Sequence, residues 1–410
     1  MSAEPRLYDL VLLGATGFVG RLTAQHLARY APPELRIALA GRSRERLEAL
    51  RAELGGRAER WPLVVVDVSE AATVHDLTRS TRVLLTTVGP YLPRGLPVVR
   101  ACASTGTAYA DLTGETLFVR RSIDAAHAKA EASGARIVHA CGFESVPSDL
   151  GVGLTAARAA ADGAGPLTDT VLHVRSLRGG VSGGTVDSLR QQLAEISADP
   201  AARGLVGRSD ALLDQPVQHT RPRSLRRVLD RDAVTGIWHG RYPLGAFNRQ
   251  IVQRSHALTG GGYGPDFRYR EVIDAGRGPW GVARAAAVAA GSAAFGAGMW
   301  FAPTRAVLDR VLPDPGAGPS EATLERGRFT VEVLARTTSG ARYATTIGAD
   351  VDPGYYGTAV MLAESGLSLA LDDLPDVAGV LTPMVALGEA LAVRLRRHDF
   401  VVRTARQSEA

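Results

Sequence analysis

The chain has 410 residues, 45% hydrophobic and 22% charged, which is ordinary globular composition and long enough for two or three domains. Two cysteines, Cys102 and Cys141, exclude a disulfide framework and a multi-cysteine metal site. The formal charge of +5 comes from arginines scattered along the chain, with Lys129 the single lysine, so no nucleic-acid stripe is present and a catalytic lysine has one candidate position.

From residue 8 to 161 short apolar runs alternate with amphipathic stretches. The runs are Tyr8–Leu13, Leu35–Ala40, Leu63–Val66, Val83–Val88, Ala108–Leu112 and Arg136–Ala140. Continuous apolar runs suit strands buried on both faces, as parallel sheets require. Between and after them, helical patterns fall at Val19–Tyr30, Arg44–Leu54, Ala71–Arg79, Leu96–Ser104, Leu117–Ala132 and Ser148–Ala161. Six strands alternating with helices predict an α/β, Rossmann-type doubly wound parallel sheet over residues 1–161.

The pattern then changes. Residues 169–178 alternate like a half-solvated strand, and a glycine cluster leads into a predicted helix at Thr185–Ile196. Residues 200–280, rich in Arg, Gly and Pro, give no clean assignment. Pro313–Ser320 reads as a turn, and Arg328–Arg336 with Ala341–Gly348 as a hairpin. These predict a second, α+β domain over 162–350 for substrate binding or dimerisation. Helices at 356–372 and 384–396 then return to the first domain within 351–410.

No apolar h-region precedes Asp9, so a cytoplasmic location is expected. Residues 285–303 carry no charge but are mostly Ala and Gly, with Arg284 and Arg305 close by. They read as a buried or surface-docked helix, with peripheral membrane contact open, rather than as a membrane span.

The first turn carries the cofactor signal. Gly14-Ala15-Thr16-Gly17-Phe18-Val19-Gly20 follows the first strand and opens the first helix. Gly14 can make the tight turn, Gly17 lets a pyrophosphate approach the backbone, and Gly20 lets the helix pack closely; free N–H groups then face the anion. At the end of the second strand, where an acid would bond the NAD ribose, stand Gly41-Arg42-Ser43-Arg44. Arginine there suits a 2′-phosphate, so NADPH is the expected cofactor, with Arg42 the main contact and Ser43 beside it. Ser43 as a plain helix cap is the alternative. Asp67, ending the third strand, is expected near the adenine.

Lys129 has Ala125 four residues before it, so a Tyr-x-x-x-Lys mechanism is excluded, and no metal-binding spacing occurs among the nine histidines. Gly180-Val181-Ser182-Gly183-Gly184 matches a nucleophile elbow formally, but it follows an alternating strand and reads as a flexible loop. Three further loops fall at the C-terminal ends of predicted strands, where ligands bind in such sheets. The first bends through Val88, Gly89 and Pro90 past the nicotinamide ribose and leaves Tyr91 near the reaction centre. The second carries Glu115. The third carries Cys141, Gly142, Phe143, Ser148 and Asp149, with Cys141 expected to pack and Ser148 able to cap the next helix.

The segments GATGFVGRLTAQHLA, LAGRSRERL, TTVGPYLPRGLPVVRAC, YADLTGE and RIVHACGFESVPSDLG resemble the saccharopine dehydrogenase-like oxidoreductases, most closely their actinobacterial trans-acting enoyl reductase branch. The resemblance is strong over 8–155 and weaker beyond. It implies an NADP(H)-carrying Rossmann domain and reduction of the α,β-double bond of acyl chains held on polyketide synthases. The partner implied is an acyl thioester, carrier-bound, and a homodimer is open. Such a reaction needs a dry cleft, an oxyanion donor and an acid. Tyr91 is the donor expected on this reading, with Glu115 and Asp149 as positioning groups and Gly183 and Gly184 shaping the acyl channel. Two other readings stay open: a saccharopine-reductase-like amino-acid dehydrogenase, and a non-catalytic lipid-associated protein with a nucleotide-binding domain.

Overall fold

The computed structural model describes residues 6–179, 183–214, 229–231, 236–300, 324 and 326–408. Its first sheet follows from the apolar runs. Strands β1 (Tyr8–Leu13), β2 (Ile37–Gly41), β3 (Leu63–Val65), β4 (Thr81–Thr86), β5 (Ala108–Ala110) and β6 (Arg136–Val138) form one parallel sheet with β13 (Gly379–Leu381). The order is β13-β6-β5-β4-β1-β2-β3. The chain reverses its direction of travel between β1 and β4, which opens a crevice at the strands' C-terminal ends.

The crossover helices are α1 (Phe18–Tyr30), α2 (Arg44–Leu54), α3 (Ala71–Arg79), α4 (Tyr91–Thr105), α5 (Thr116–Ser133) and α6 (Val146–Ala161). Helix α4 begins at Tyr91, earlier than the predicted Leu96. Pro93 and Pro97 blurred the pattern, but Pro93 sits in the first turn, where a missing N–H costs nothing. The sheet has seven strands rather than six. The three residues of β13 are too short to show a period, and they are held from outside: Val380 donates to His127 Nδ1 at 2.9 Å.

The second sheet has the order β14-β12-β11-β7-β10-β9-β8. Its strands are β7 (Leu167–Arg178), β8 (Leu229–Arg231), β9 (Ile237–Arg241), β10 (Arg268–Arg277), β11 (Arg328–Thr337), β12 (Arg342–Ala349) and β14 (Val401–Arg406). The predicted hairpin is β11–β12, paired from Phe329↔Ala349 to Arg336↔Arg342. Strand β7 pairs in parallel with β10 as well as antiparallel with β11, which its alternation alone could not specify. The unassigned 200–280 region supplies α8 (Pro200–Val206), β8, β9, α9 (Gly245–Leu258) and β10. Helix α7 (Gly183–Ala198) contains the predicted one, and α10 (Gly278–Trp300) contains most of the uncharged segment. Residues 180–182, 301–303 and the predicted turn at 313–320 lie outside the described residues.

At the C-terminal end, α11 (Thr358–Leu371) lies flush on the first sheet, where a Cβ at Gly366 would meet Leu85 at 2.6 Å. Helices α12 (Pro383–Ala386) and α13 (Gly388–Arg396) follow. The last strand departs from the expected all-helical return: β14 pairs with β12 on the second sheet. His26 of α1 and His398 both bond one oxygen of Glu364, at 2.7 and 2.9 Å. Burial alone would raise this carboxyl's pKa, but the hydrogen bonds from the two histidines hold it at about 2.

Candidate active site

The glycine loop is shaped as its spacing predicts. Gly14 has φ +85°, a left-handed conformation open to glycine, and its N–H donates to Ala40 O at 2.9 Å. Gly17 donates to Gly14 O at 3.0 Å and is exposed. A Cβ at Gly20 would stand 2.2 Å from Gly14 O, so only glycine lets α1 close onto the loop. Thr87 Oγ1 pins the same carbonyl at 2.9 Å. The first turn of α1 holds no acid, and its N-cap, Gly17, offers no side-chain cap. The helix N–H groups are therefore left for an anion. Ala15 is buried, Thr16 and Val19 are half-buried, and Phe18 meets Tyr355 edge-on at 5.0 Å. This cradle fits a dinucleotide pyrophosphate.

At the end of β2, Arg42 is exposed and makes no hydrogen bond among the described residues. Ser43 caps α2, its Oγ accepting from Arg46 N at 3.3 Å, which leaves the hydroxyl proton free to donate. Asp67 is turned inward on its own loop. It accepts from Ser69 N at 2.9 Å and Ser69 Oγ at 2.7 Å; those bonds, with lesser help from Arg42 and Arg94, lower its pKa. Its carboxylate is a turn cap. Arg94, not singled out from the sequence, reaches Gly89 O at 2.7 Å and completes the basic rim.

Tyr91 departs from its expected role. It is 5% exposed, its hydroxyl donates to Thr86 O at 3.1 Å, and it accepts from Leu112 N at 3.3 Å. The ring stacks on Phe118 at 5.6 Å. Burial, with Asp111 nearby, drives the phenol pKa well above its ordinary value. The hydroxyl is spent tying the ends of β4 and β5 together, so it is not a donor facing substrate. Tyr91→Phe should cost about 1–2 kcal/mol by stranding Leu112 N. It should leave turnover within a few-fold; a loss of a hundredfold in kcat at unchanged melting temperature would restore the catalytic assignment.

Glu115 acts as a positioning group. Its two oxygens accept from Tyr91 N at 2.9 Å and Leu92 N at 2.7 Å, so a carboxylate from the β5–α5 loop caps α4. Burial raises its pKa against these bonds and one from Ser188 of α7. This cap fixes the Val88-Gly89-Pro90 turn, where Val88 N bonds Thr86 Oγ1 at 3.2 Å. Gly183 and Gly184 open α7. Cys141 is buried, its thiol pKa raised by burial, and it packs. Gly142 backs onto Leu112 and Thr358, and Phe143 N donates to Thr358 Oγ1 at 3.1 Å.

Two expected substrate-side groups are instead consumed by packing. Ser148 lies inside α6 and donates to Glu271 at 2.8 Å, so it neither caps the helix nor faces a ligand. Asp149 is fully buried, accepting from Ser255 and from Met384 N at 2.8 Å. Burial pushes its pKa up to about 6. Ser148 thus ties α6 to β10, and Asp149 ties it to α9 and α12.

Four residues before Ser148 stands Glu144, absent from the expected set. It is half-buried, and no donor reaches its carboxylate among the described residues. The carboxylate lies directly over Gly114, where a Cβ would meet Oε2 at 2.3 Å. Burial, then the charge of Glu115, pushes its pKa up to about 7. Its signal in the sequence was a carboxylate in a strand-end loop, masked by the neighbouring Asp149.

No helix among the described residues is long and apolar enough to cross a membrane. Trp280 at the start of α10 is 80% exposed.

Residues 10–138 match the saccharopine dehydrogenase NADP-binding domain family, which makes an NADP-type nicotinamide nucleotide the cofactor class. In fold the chain is similar to the saccharopine dehydrogenase (L-Glu forming) of Saccharomyces cerevisiae. The TM-score is 0.54 at 12% identity, covering 98% of this chain and 100% of that one. It is also similar to homospermidine synthase of Legionella pneumophila, at TM-score 0.50, 11% identity and 98% and 92% coverage. Among curated relatives, the trans-acting enoyl reductase of Mycobacterium ulcerans is 46% identical over 420 aligned positions, covering 99% of this chain and 100% of that protein. The trans-acting enoyl reductase of Mycobacterium tuberculosis strain H37Rv is 46% identical over 421 positions, covering 100% of both. With identity of that order along its whole length, the chain belongs to the trans-acting enoyl reductase family and is an NAD(P)-dependent oxidoreductase.

Proposed function

We propose that the protein uses NADPH to reduce the α,β-double bond of an acyl thioester presented on a carrier of a polyketide-type synthase. The observation that carries this reading is the full-length 46% identity to relatives bearing the trans-acting enoyl reductase name. The loop from Gly14 to Gly20 would hold the pyrophosphate, Arg42 and Ser43 the 2′-phosphate, and Val88, Gly89 and Pro90 would border the nicotinamide ribose. When bound, the reduced nicotinamide supplies a hydride equivalent. The chain's own part is to hold the turn before α4 rigid through Glu115 and Tyr91. It must also exclude water from the crevice and supply a proton.

Preference for NADPH is supported by Arg42 standing exposed and without a hydrogen bond where an NAD-specific site places an acid. The test is a fluorescence titration of the protein and of Arg42→Asp with NADPH and NADH. The natural protein should bind NADPH at least tenfold more tightly, about 1.4 kcal/mol. The variant should lose that preference through charge repulsion with the 2′-phosphate. Equal affinity of the natural protein for both nucleotides would sink the 2′-phosphate reading.

A further inference from the structure

We propose that Glu144 is the acid that delivers the proton to the α-carbon of the acyl substrate. The inference rests on the enoyl reductase reading above. Carboxylates removed from water normally collect hydrogen bonds or a cation. The neighbouring acids obey: Asp111 accepts from His139, Tyr109 and two backbone N–H groups, Glu115 from two N–H groups, Asp149 from Ser255 and Met384, Glu271 from Ser148, Asn248 and Tyr269. Among the described residues Glu144 alone of this group has no donor, and its half-buried loop keeps it open to water.

Its position suits the task. It follows β6, its carboxylate covers Gly114 after β5, and Gly114 adjoins the Glu115 carboxylate that fixes the start of α4. Glu115 in turn holds Tyr91 N and Leu92 N, directly after the turn expected to border the nicotinamide. The titratable groups facing Glu144 are Glu115 from the β5–α5 loop and Tyr242 just after β9. Neither supplies a positive charge, and Tyr242 is buried with its own pKa raised. An acid among such neighbours keeps its proton near neutral pH, the condition under which a carboxyl group can act as a general acid.

The two electrons and the hydrogen at the β-carbon come from the reduced nicotinamide, and the π pair moves toward the thioester oxygen. The O–H bond of Glu144 then breaks, its proton forms the new C–H bond at the α-carbon, and the thioester carbonyl re-forms. The Glu144 carboxylate is left to regain a proton from water.

The first test needs neither cofactor nor substrate. Thermal melts of the unliganded protein and of Glu144→Gln are compared from pH 5 to pH 8. An acid whose pKa is raised in the fold binds more protons folded than unfolded, so its contribution declines as pH rises from the unfolded value toward about 7. The melting-temperature gap should be smallest at pH 5 and should grow in favour of Glu144→Gln by pH 8. A gap independent of pH overturns the assignment, because the carboxyl would then titrate as an ordinary one.

The second test uses an α,β-unsaturated acyl N-acetylcysteamine thioester as probe. With the natural protein, kcat should fall as pH rises through about 7. Glu144→Gln should lose ~10²-fold or more in kcat while its NADPH affinity stays within threefold. Glu144→Asp should recover part of the loss. A variant with unchanged kcat and an unchanged pH limb removes Glu144 from the reaction but leaves the enoyl reductase reading intact. Failure of the natural protein to reduce the thioester counts against that parent reading, whatever the melts show.

Discussion

Gly20→Ala should lower NADPH affinity at least ~100-fold, about 2.8 kcal/mol. The reason is steric and local. The added methyl group would stand 2.2 Å from Gly14 O and 2.9 Å from Ala15 O, both backbone atoms that cannot swing aside. Either the N-terminus of α1 rises from the sheet or the Gly14 turn opens, and both disperse the N–H groups meant for the pyrophosphate. Gly17→Ala is the informative companion. Its Cβ would sit 3.4 Å from Gly14 O, an ordinary contact, at an exposed position. That variant should melt with the natural protein and lose affinity only through obstruction of the ligand. Titration with NADPH and thermal denaturation of both variants separate the two effects. A Gly20→Ala protein that binds NADPH as the natural one does would show that the loop does not hold the nucleotide.

Arg254→Ala should cost on the order of 3–5 kcal/mol of folding stability. Arg254 is the largest fully buried side chain among the described residues. From α9 it reaches Val380 O twice, at 3.2 and 2.6 Å, and Leu212 O at 2.7 Å. Burial lowers its pKa to about 10, so it remains charged at neutral pH. One guanidinium thus binds α9 to the short strand β13 and to the segment after α8. Truncation would leave two carbonyls without their donor and a cavity besides. Arg254→Lys should fall between, because a single ammonium cannot span both carbonyls as a planar fork does. Urea denaturation followed by circular dichroism measures the change. A loss below about 1 kcal/mol would show that β13 is held without the guanidinium, by its pairing with β6 and the Val380–His127 bond.

Gly20 and Arg254 stand on either side of the boundary between what was legible in the sequence and what was not. The glycine loop was legible because its constraints are local: each glycine answers to backbone atoms a few residues away. The same holds for the first sheet's strands, whose continuous apolar runs announce burial on both faces, and for the end of β2, where the missing acid is read directly. The resemblance to the enoyl reductases rested on these same segments.

The catalytic side was not legible, because there the partner of each group comes from far along the chain. Tyr91 looked like a donor beside the nicotinamide until Leu112 and Thr86 claimed its hydroxyl. Asp149 and Ser148 looked substrate-facing, but Ser255, Met384 and Glu271, more than a hundred residues on, turned them into packing contacts. Helix α4 starts early because Glu115, twenty-four residues after Tyr91, caps it. Glu144 stands out only once every other carboxylate around it has found its donors.

The sequence by itself therefore determined the parallel nucleotide-binding sheet, the shape of the glycine loop and the cofactor class, since these depend on short-range sterics and periodicity. Tertiary structure alone decided which polar groups are spent on the fold and which remain free for chemistry. That difference depends on hydrogen bonds and burial supplied by distant segments, which no local pattern encodes.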